Sequence, residues 1–233
     1  MIFVVSDAHF GSNGEEKERR ERFFQFLEMV REGGERLILL GDIFDFWFEY
    51  RHYVNRHYLD ILFHLRMTAR HVETIYVAGN HDLWIDGILE DMGIRTYRDS
   101  FAMGDILFAH GDNLKMGFKT RDLLLNPILV KLFYMIHPDW GYAIARAVST
   151  TSRGRNQDVD AIPDWMWKYV STRVEHKNVV VGHLHVPLME ERNGKRIICI
   201  GDWMRNFTYG VINENRIYVK SMEGATILES PLD

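Results

Sequence analysis

Five times in this sequence an apolar, β-prone run stops at residue types that ligate metal ions. Ile2-Phe3-Val4-Val5 runs into Ser6-Asp7-Ala8-His9, and Leu37-Ile38-Leu39-Leu40 into Gly41-Asp42, with Asp45 three residues on. Thr74-Ile75-Tyr76-Val77 leads to Ala78-Gly79-Asn80-His81-Asp82. Ile106-Leu107-Phe108-Ala109 leads to His110-Gly111-Asp112, and Val179-Val180-Val181 to Gly182-His183-Leu184-His185. A short apolar run that ends at glycine and polar residues reads as a buried strand with a loop at its C-terminal end. That end is where open α/β sheets bind ligands. Asp7 and His9 are two apart, as are His183 and His185, so in extended backbone each pair points to one side.

The loops offer imidazole, carboxylate and amide oxygen but no thiolate. That donor set suits manganese, iron or zinc better than an all-oxygen calcium site. Seven candidates (Asp7, His9, Asp42, Asn80, His110, His183 and His185) are too many for one ion with an open position. They are the right number for two ions sharing a bridging carboxylate, which sit ~3.5–4 Å apart and clamp the attacking and leaving oxygens of a phosphoryl displacement. Taken singly, Asp42 is also an ordinary loop or cap aspartate, Asn80 an ordinary turn residue, and each histidine an ordinary core or surface residue. Those readings would have to hold independently at five strand ends.

The ordered set Asp-x-His, Gly-Asp-x-x-Asp, Gly-Asn-His-Asp, His-Gly-Asp and Gly-His-x-His, from Asp7 to His185, resembles the calcineurin-type metallophosphoesterases. The resemblance implies an α/β domain of two stacked sheets flanked by helices. It also implies two divalent cations. Asp7, His9, Asp42 and His185 would hold the first, and Asp42, shared with it, would join Asn80, His110 and His183 around the second. By the same resemblance His81 protonates the leaving oxygen and is oriented by Asp45.

Composition fits a soluble enzyme. The 233 residues suffice for one domain with a full core, and a net charge of -5 argues against a general nucleic-acid binder. Cys199, inside Ile197-Ile198-Cys199-Ile200, reads as a buried apolar thiol, so no disulfide is expected and a reducing compartment fits. The first strand is not preceded by a charged and then apolar leader, so a cytoplasmic location is expected.

Between these loops the pattern alternates strand and helix. Phe23, Phe24, Phe26, Leu27 and Val30 recur at helical spacing before Gly33-Gly34. Tyr53 to Arg70 reads as a second helix with Leu59, Leu62, Phe63 and Met67 on its packed face, and Ile85 to Met92 as a short third. Ile43 to Phe48 is aromatic enough both to fill core and to wall a site. Ile197–Ile200, Tyr209–Ile212 and Arg216–Val219 read as strands. His52, His57, His64, His71, His137 and His176 lie outside the motifs and read as non-ligands.

Residues 114–156 break this rhythm. Seven Lys/Arg against Asp122 and Asp139 give the segment a local charge of +5, leaving -10 for the rest of the chain. Leu123-Leu124-Leu125, Ile128-Leu129-Val130 and Leu132 to Ile136 make it strongly apolar, yet interrupted short of the ~20 residues a membrane span needs. It reads either as a helical hairpin burying its own apolar face or as a cap, apolar towards acyl chains and basic towards phosphates. Basic amphipathic helices also let an enzyme rest on an anionic bilayer.

Gly41-Asp42-Ile43-Phe44-Asp45-Phe46-Trp47, the insertion after His110, Ser152-Arg153-Gly154-Arg155-Asn156, and Gly182-His183-Leu184-His185-Val186-Pro187 are similar to the UDP-diacylglucosamine pyrophosphatases of lipid A synthesis. That resemblance implies a lid over acyl chains, substrate contacts from Asn80, His81, His183, Ser152 and Asn156, and manganese as the usual cation. It also implies cleavage of a nucleotide-lipid diphosphate to lipid monophosphate and UMP, on the cytoplasmic face of the inner membrane and without an obligate protein partner. Arg153 and Arg155 are added as candidate phosphate contacts. The best-known branch carries Arg where this chain has His81. The alternative substrate is therefore another nucleotide, lipid phosphate ester or phosphodiester. A non-catalytic protein-binding scaffold on the same fold would be expected to carry degenerate ligands.

Overall fold

The apolar runs form two sheets in the computed structural model, which describes residues 1–12, 16–50, 52–85, 87–115, 120–152 and 159–232. In the first sheet β1 (Ile2–Val5), β2 (Arg36–Leu39), β3 (Glu73–Val77) and β4 (Arg95–Tyr97) run parallel. The antiparallel strands β10 (Thr208–Asn213), β11 (Arg216–Ser221) and β12 (Thr226–Pro231) extend it beyond β1. The second sheet has the order β5 (Ser100–Met103), β6 (Ile106–Ala109), β7 (Asn178–Val181), β9 (Lys195–Ile200) and β8 (Pro187–Arg192). Its central strands β6, β7 and β9 are parallel.

Alternation along each strand builds three layers of core. Val4, Ile38, Leu40, Ile75 and Val77 meet Phe108, Val180, Ile198 and Ile200 between the sheets. Phe3, Val5, Leu37, Leu39 and Tyr76 point the other way, into a cluster with α1 (Glu16–Gly33) and α2 (Leu59–Ala69). The outer face of the second sheet packs Val179, Val181, Ile197 and Cys199 against Met166, Trp167 and Val170 of α7 (Asp164–Arg173). Burial on both faces is why these strands read as unbroken apolar runs rather than as alternating ones. Cys199 is a free buried thiol, and burial pushes its pKa up to about 12.

Three helical expectations need correction. The second helix begins only after a 3₁₀ turn at Arg56–Tyr58, so Tyr53 and Val54 lie outside it. Its buried residues are Ile61, Leu62, Leu65 and Thr68, while Leu59 and Phe63 face solvent, Phe63 at 61% exposure. The face is set by what α2 docks against: Arg31 of α1 donates to Thr68 Oγ1 at 3.2 Å and Phe24 of α1 stacks on His64. The short third helix, α3 (Ile88–Asp91), is half the expected length, because the backbone of Leu83–Ile85 is taken up by the site loop. The strands β8 and β12 and the helix α7 carry no clean period and were not expected from pattern.

Between β6 and β7 the chain forms α4 (Thr120–Leu124), α5 (Pro127–Tyr134) and α6 (Pro138–Ser152). Asn126 caps α5, its side chain accepting from the Ile128 N–H at 2.9 Å, and Pro127 occupies the first turn. No residue of α5 is buried. Ile128, Met135 and Trp140 are 69%, 82% and 72% exposed, so the segment does not bury its own apolar face. Among the described residues no helix is long and apolar enough to cross a membrane.

Phe108, fully buried between the sheets, should cost about 3–5 kcal/mol when cut to Ala. Phe63→Ala should stay within ~0.5 kcal/mol. Urea unfolding midpoints of the two variants check this, and equal losses would contradict the layer assignment.

Candidate metal centre

The C-terminal ends of β1, β2 and β3 in one sheet and of β6 and β7 in the other meet over the same edge of the sandwich. Asp7, His9, Asp42 and His110 are fully or almost fully buried there. His185 Nε2 lies 3.2 Å from Asp7 Oδ1, and His9 Nε2 lies 3.8 Å from the same oxygen. Asp42 Oδ2 is 3.3 Å from His110 Nε2, 3.7 Å from His9 Nε2 and 4.0 Å from His81 Nε2. Asp42 therefore stands between the two halves of the set. Within 4.8 Å of one another, the ligand atoms of Asp7, His9 and His185 form one group and those of Asp7, Asp42 and His110 another. His183 is the outermost member, its ring 5.2 Å from that of His110.

Whether these residues fit metal ions is decided by their unsatisfied atoms. Asp7 Oδ1, both His9 nitrogens, Asn80 Oδ1 and His110 Nε2 are buried and accept or donate no hydrogen bond. Buried polar atoms are almost always paired; of these five, Asp7 Oδ1, His9 Nε2, Asn80 Oδ1 and His110 Nε2 are what cations would satisfy, while His9 Nδ1 faces the Asp45 carboxylate at 3.6 Å. The second shell is in place. His110 Nδ1 meets the Leu40 carbonyl at 2.9 Å and His81 Nδ1 the Asp45 carbonyl at 2.8 Å. Those contacts fix each Nδ1 as the N–H and direct each Nε2 inward. Asp7 Oδ2 accepts from His183 N at 2.9 Å, and Asp42 Oδ1 from His81 N at 2.9 Å.

The backbone is bent to achieve this. Asp7, His9, Asp42, His183 and His185 all have positive φ, between 44° and 64°. A non-glycine residue there costs about 1–2 kcal/mol, and such conformations cluster at functional sites. Two neighbours must be glycine because of close approach: a Cβ on Gly79 would strike Asp42 Oδ1, and one on Gly182 would lie 2.5 Å from Asp7 Oδ2.

Electrostatics follow from the crowding. Burial opposes charge on His9, but the Asp45, Asp7 and Asp42 carboxylates outweigh it and push the imidazole up to about 9. His110 is raised against the same burial, chiefly by Asp42 and Asp7. Burial would also raise Asp7 and Asp42, yet His185 and His110 around the first, and His110, His81 and His9 around the second, hold both below the usual carboxylate range. His183 is brought down to about 4 by burial and by His110.

Asp45 orients His81 through its main-chain carbonyl, while its carboxylate lies 3.6 Å from His9 Nδ1. Sequence reasoning missed three further contributors. Asp82 accepts from Gly79 N at 2.7 Å and Ile43 N at 2.9 Å, and Tyr76 Oη–H donates to it. Arg19 donates to the His9 carbonyl at 3.5 Å and to Ser12 Oγ at 3.0 Å. Asn206 donates to the His185 carbonyl at 3.0 Å, and Asp202, left unassigned by pattern, organises the turn that holds it. Only Asp82 carried a signal, as the fourth residue of Gly-Asn-His-Asp.

Arg153, Arg155 and Asn156 lie outside the described residues, and of Ser152 only the backbone, ending α6, is described. Arg121, counted among the basic residues, is buried and paired with Asp112 and so is not free for a substrate phosphate.

The two-sheet sandwich aligns with the solved structure of Vacuolar Protein Sorting 29 from Cryptosporidium parvum at a TM-score of 0.50 and 15% identity, covering 99% of this chain and 97% of that one. The chain has the calcineurin-like metallophosphoesterase fold. Within that metallophosphoesterase fold its sequence is 28% identical to a protein named UDP-2,3-diacylglucosamine hydrolase from Porphyromonas gingivalis, over 95% of this chain and 97% of the relative. A protein of the same name from Nitrosococcus oceani is 25% identical, with 87% of each chain covered. No protein-family model matches.

Gly79→Ala should leave a folded protein that has lost most of its divalent-cation affinity, because the new methyl displaces Asp42; calorimetric titration with Mn2+ measures this. In chelated protein the raised His9 contributes stability that is complete below its ordinary value of 6.5 and is lost as pH rises through about 9. The melting temperature of the cation-free protein should therefore fall across that window, and saturating Mn2+ should flatten the fall. A profile unchanged by cation would contradict the centre.

Proposed function

We propose that this chain is a two-cation phosphohydrolase that cleaves the diphosphate of UDP-2,3-diacylglucosamine to lipid monophosphate and UMP. The observation that carries the reading is the gathering of orphaned carboxylate, imidazole and amide atoms from three strand ends, with Asp42 and His185 from two more grouped beside them, in a chain alike over nearly its whole length to proteins of that name. Asp7, His9, Asp42 and His185 are assigned to one cation, and Asn80, His110 and His183, with Asp42 shared, to the other. Mn2+ is the proposed ion, with Fe and Zn as the other borderline choices for this donor set. Bound divalent cations would neutralise the diphosphate oxygens and lower the pKa of the attacking water.

The residues around them supply the rest. His81 donates its Nδ1–H to the Asp45 carbonyl, so Nε2 is the nitrogen that passes a proton to the leaving oxygen. Asn80, His81, His183, Ser152, Arg153, Arg155 and Asn156 are the proposed substrate contacts, the last four belonging in sequence to the end of α6 and the stretch after it.

The lipid half is supported by a cavity of about 490 Å3 lined by Phe46, Phe48, Tyr58, Pro138 and Tyr142 among others. That volume and its mostly apolar wall suit an acyl chain. Residues 114–156 are proposed as the cap of this chamber, meeting the cytoplasmic face of the inner membrane through the exposed apolar side chains of α5 and α6 and the net positive charge of the segment. His81, in place of the Arg of the best-known branch, favours as a second reading a related nucleotide-lipid ester in the same chamber.

Asp42→Ala is expected to abolish cation binding and turnover of UDP-2,3-diacylglucosamine together. His81→Ala should keep the cations and lose about 10²–10⁴ in rate. Leu129→Ala and Phe133→Ala should harm the diacylated substrate more than a small chromogenic phosphodiester. Wild-type turnover by either of the first two variants would sink the assignment, and equal losses on both substrates would make the cap structural.

A further inference from the structure

Arg121 is a cation on the first helix of the insertion, yet it is 3% exposed and faces the metal loops rather than solvent. Its Nη1 donates to both carboxylate oxygens of Asp112, at 3.1 and 3.2 Å. Its Nη2 donates to the Ala78 carbonyl at 3.3 Å, and Nε lies 3.6 Å from Asp99 Oδ1. Asp112 is two residues after His110, and Ala78 two residues before Asn80. One planar guanidinium therefore ties together the loops that carry two ligand candidates assigned to the same cation. It touches neither of them.

We infer that Arg121 is a positioning residue for the cation held by Asn80 and His110, setting their separation through Asp112 and the Ala78 main chain. The inference rests on the two-cation reading. Three observations support a geometric role over phosphate binding. The fork is occupied, with two donors spent on one carboxylate and a third on a carbonyl, a fit specific to guanidinium. The bidentate aspartate cancels the charge that would otherwise repel a nearby dication. And the ligand atoms beyond each tie, Asn80 Oδ1 and His110 Nε2, are themselves buried and unsatisfied; the Leu40 carbonyl sets the turn of the His110 ring, and the tie through Arg121 bears on the spacing of the two loops.

The cation on the other side is held differently. Asp7 and His9 hang from the loop after β2, through Asp7 N to the Gly41 carbonyl at 3.1 Å and His9 N to the Asp42 carbonyl at 2.9 Å. Arg121 makes no contact with that pair among the bonds of the described residues. Loss of its fork should thus divide the two cations rather than weaken both.

The experiment is calorimetric titration of Mn2+ into full-length, chelated wild type, Arg121→Lys and Asp112→Asn, with electron paramagnetic resonance of the loaded proteins to detect the spin-coupled Mn pair. Arg121→Lys keeps the charge and loses the fork. Asp112→Asn leaves the cap residue untouched and weakens the tie from the other end, so the test survives if the first variant misfolds. Wild type should take up two equivalents with a coupled signal. Each variant should bind one equivalent as wild type does and the second about 10–100-fold more weakly, the usual cost of a lost outer-shell partner. At one to two equivalents the variants should show the uncoupled spectrum. A folded variant with both affinities and the coupled signal unchanged overturns the role of Arg121, even if its melting temperature falls. A wild type that takes up a single cation instead overturns the two-cation reading on which this rests.

Discussion

Asp7, Asp42, His9 and His110 are buried side by side, and Asp7 Oδ1, both His9 nitrogens and His110 Nε2 have no hydrogen-bond partner among the described residues. In ordinary cores buried charge is paired by the protein itself. Here protons do so only in part: the carboxylates hold His9 and His110 charged, and those imidazolium groups hold the carboxylates ionised. The result is a cluster whose internal neutrality depends on protons that a divalent cation can replace. Metal affinity and folding stability are then two views of the same electrostatic problem.

That problem explains the backbone. Five left-handed residues at ligand positions, and glycines with no room for a methyl, bring main chain and carboxylate closer than an ordinary strand end does. Such geometry persists only when its surroundings over-determine it. The determination comes from across the sandwich: the Leu40 carbonyl of the first sheet orients His110 of the second, and His183 N of the second sheet holds Asp7 of the first. Neither sheet could hold the centre alone. Asp82 performs the same service locally, joining the Asp42 and Asn80 loops through Ile43 N and Gly79 N.

Much of this was legible beforehand, for a physical reason. A strand buried on both faces must be apolar throughout, and a ligand loop must begin where that run stops, so strand ends and site residues were read from the same boundary. What escaped was whatever had no such boundary. β8, Pro187–Arg192, mixes apolar and charged residues along an edge. The packed face of α2 depended on how it docks against α1, which the apolar but exposed Leu59 and Phe63 obscured. Arg19, Arg121 and Asn206 act through carbonyls of distant loops, and pairwise contacts of that kind leave no period in the sequence. The expected link of Asp45 to His81 is present as a hydrogen bond to the Asp45 carbonyl, which any residue would have supplied, while its carboxylate lies 3.6 Å from His9 Nδ1 and in one group with His9 and His81.

The insertion is bound to the centre more closely than its exposed composition suggests. Tyr142 Oη–H donates to the Gly11 carbonyl at 3.1 Å, Trp84 Nε1–H to the Leu124 carbonyl at 3.1 Å, and Arg121 reaches Asp112 and Ala78. Phe133 packs against Phe46 and Phe48, with ring centroids 5.8 and 4.6 Å apart. The aromatic run after Asp42 is thus divided: Phe44 and Trp47 fill the core, while Phe46 and Phe48 turn outward to hold α5. Four of the five ligand loops are touched in this way, so the helices form a wall of the site rather than an appendage. On the outer side of these helices Ile128, Leu132, Trp140 and Ile144 are exposed. Tyr53 and Val54, which help line the cavity, are exposed, as are Leu59 and Phe63 of α2. Exposed apolar side chains beside an apolar-lined cavity would ease the passage of a two-chain lipid out of an apolar phase, since each CH2 exposed to water on the way costs about 0.8 kcal/mol. In the proposed reading, the surface that looks most unfavourable for an isolated protein is the one that lowers the barrier to loading its substrate.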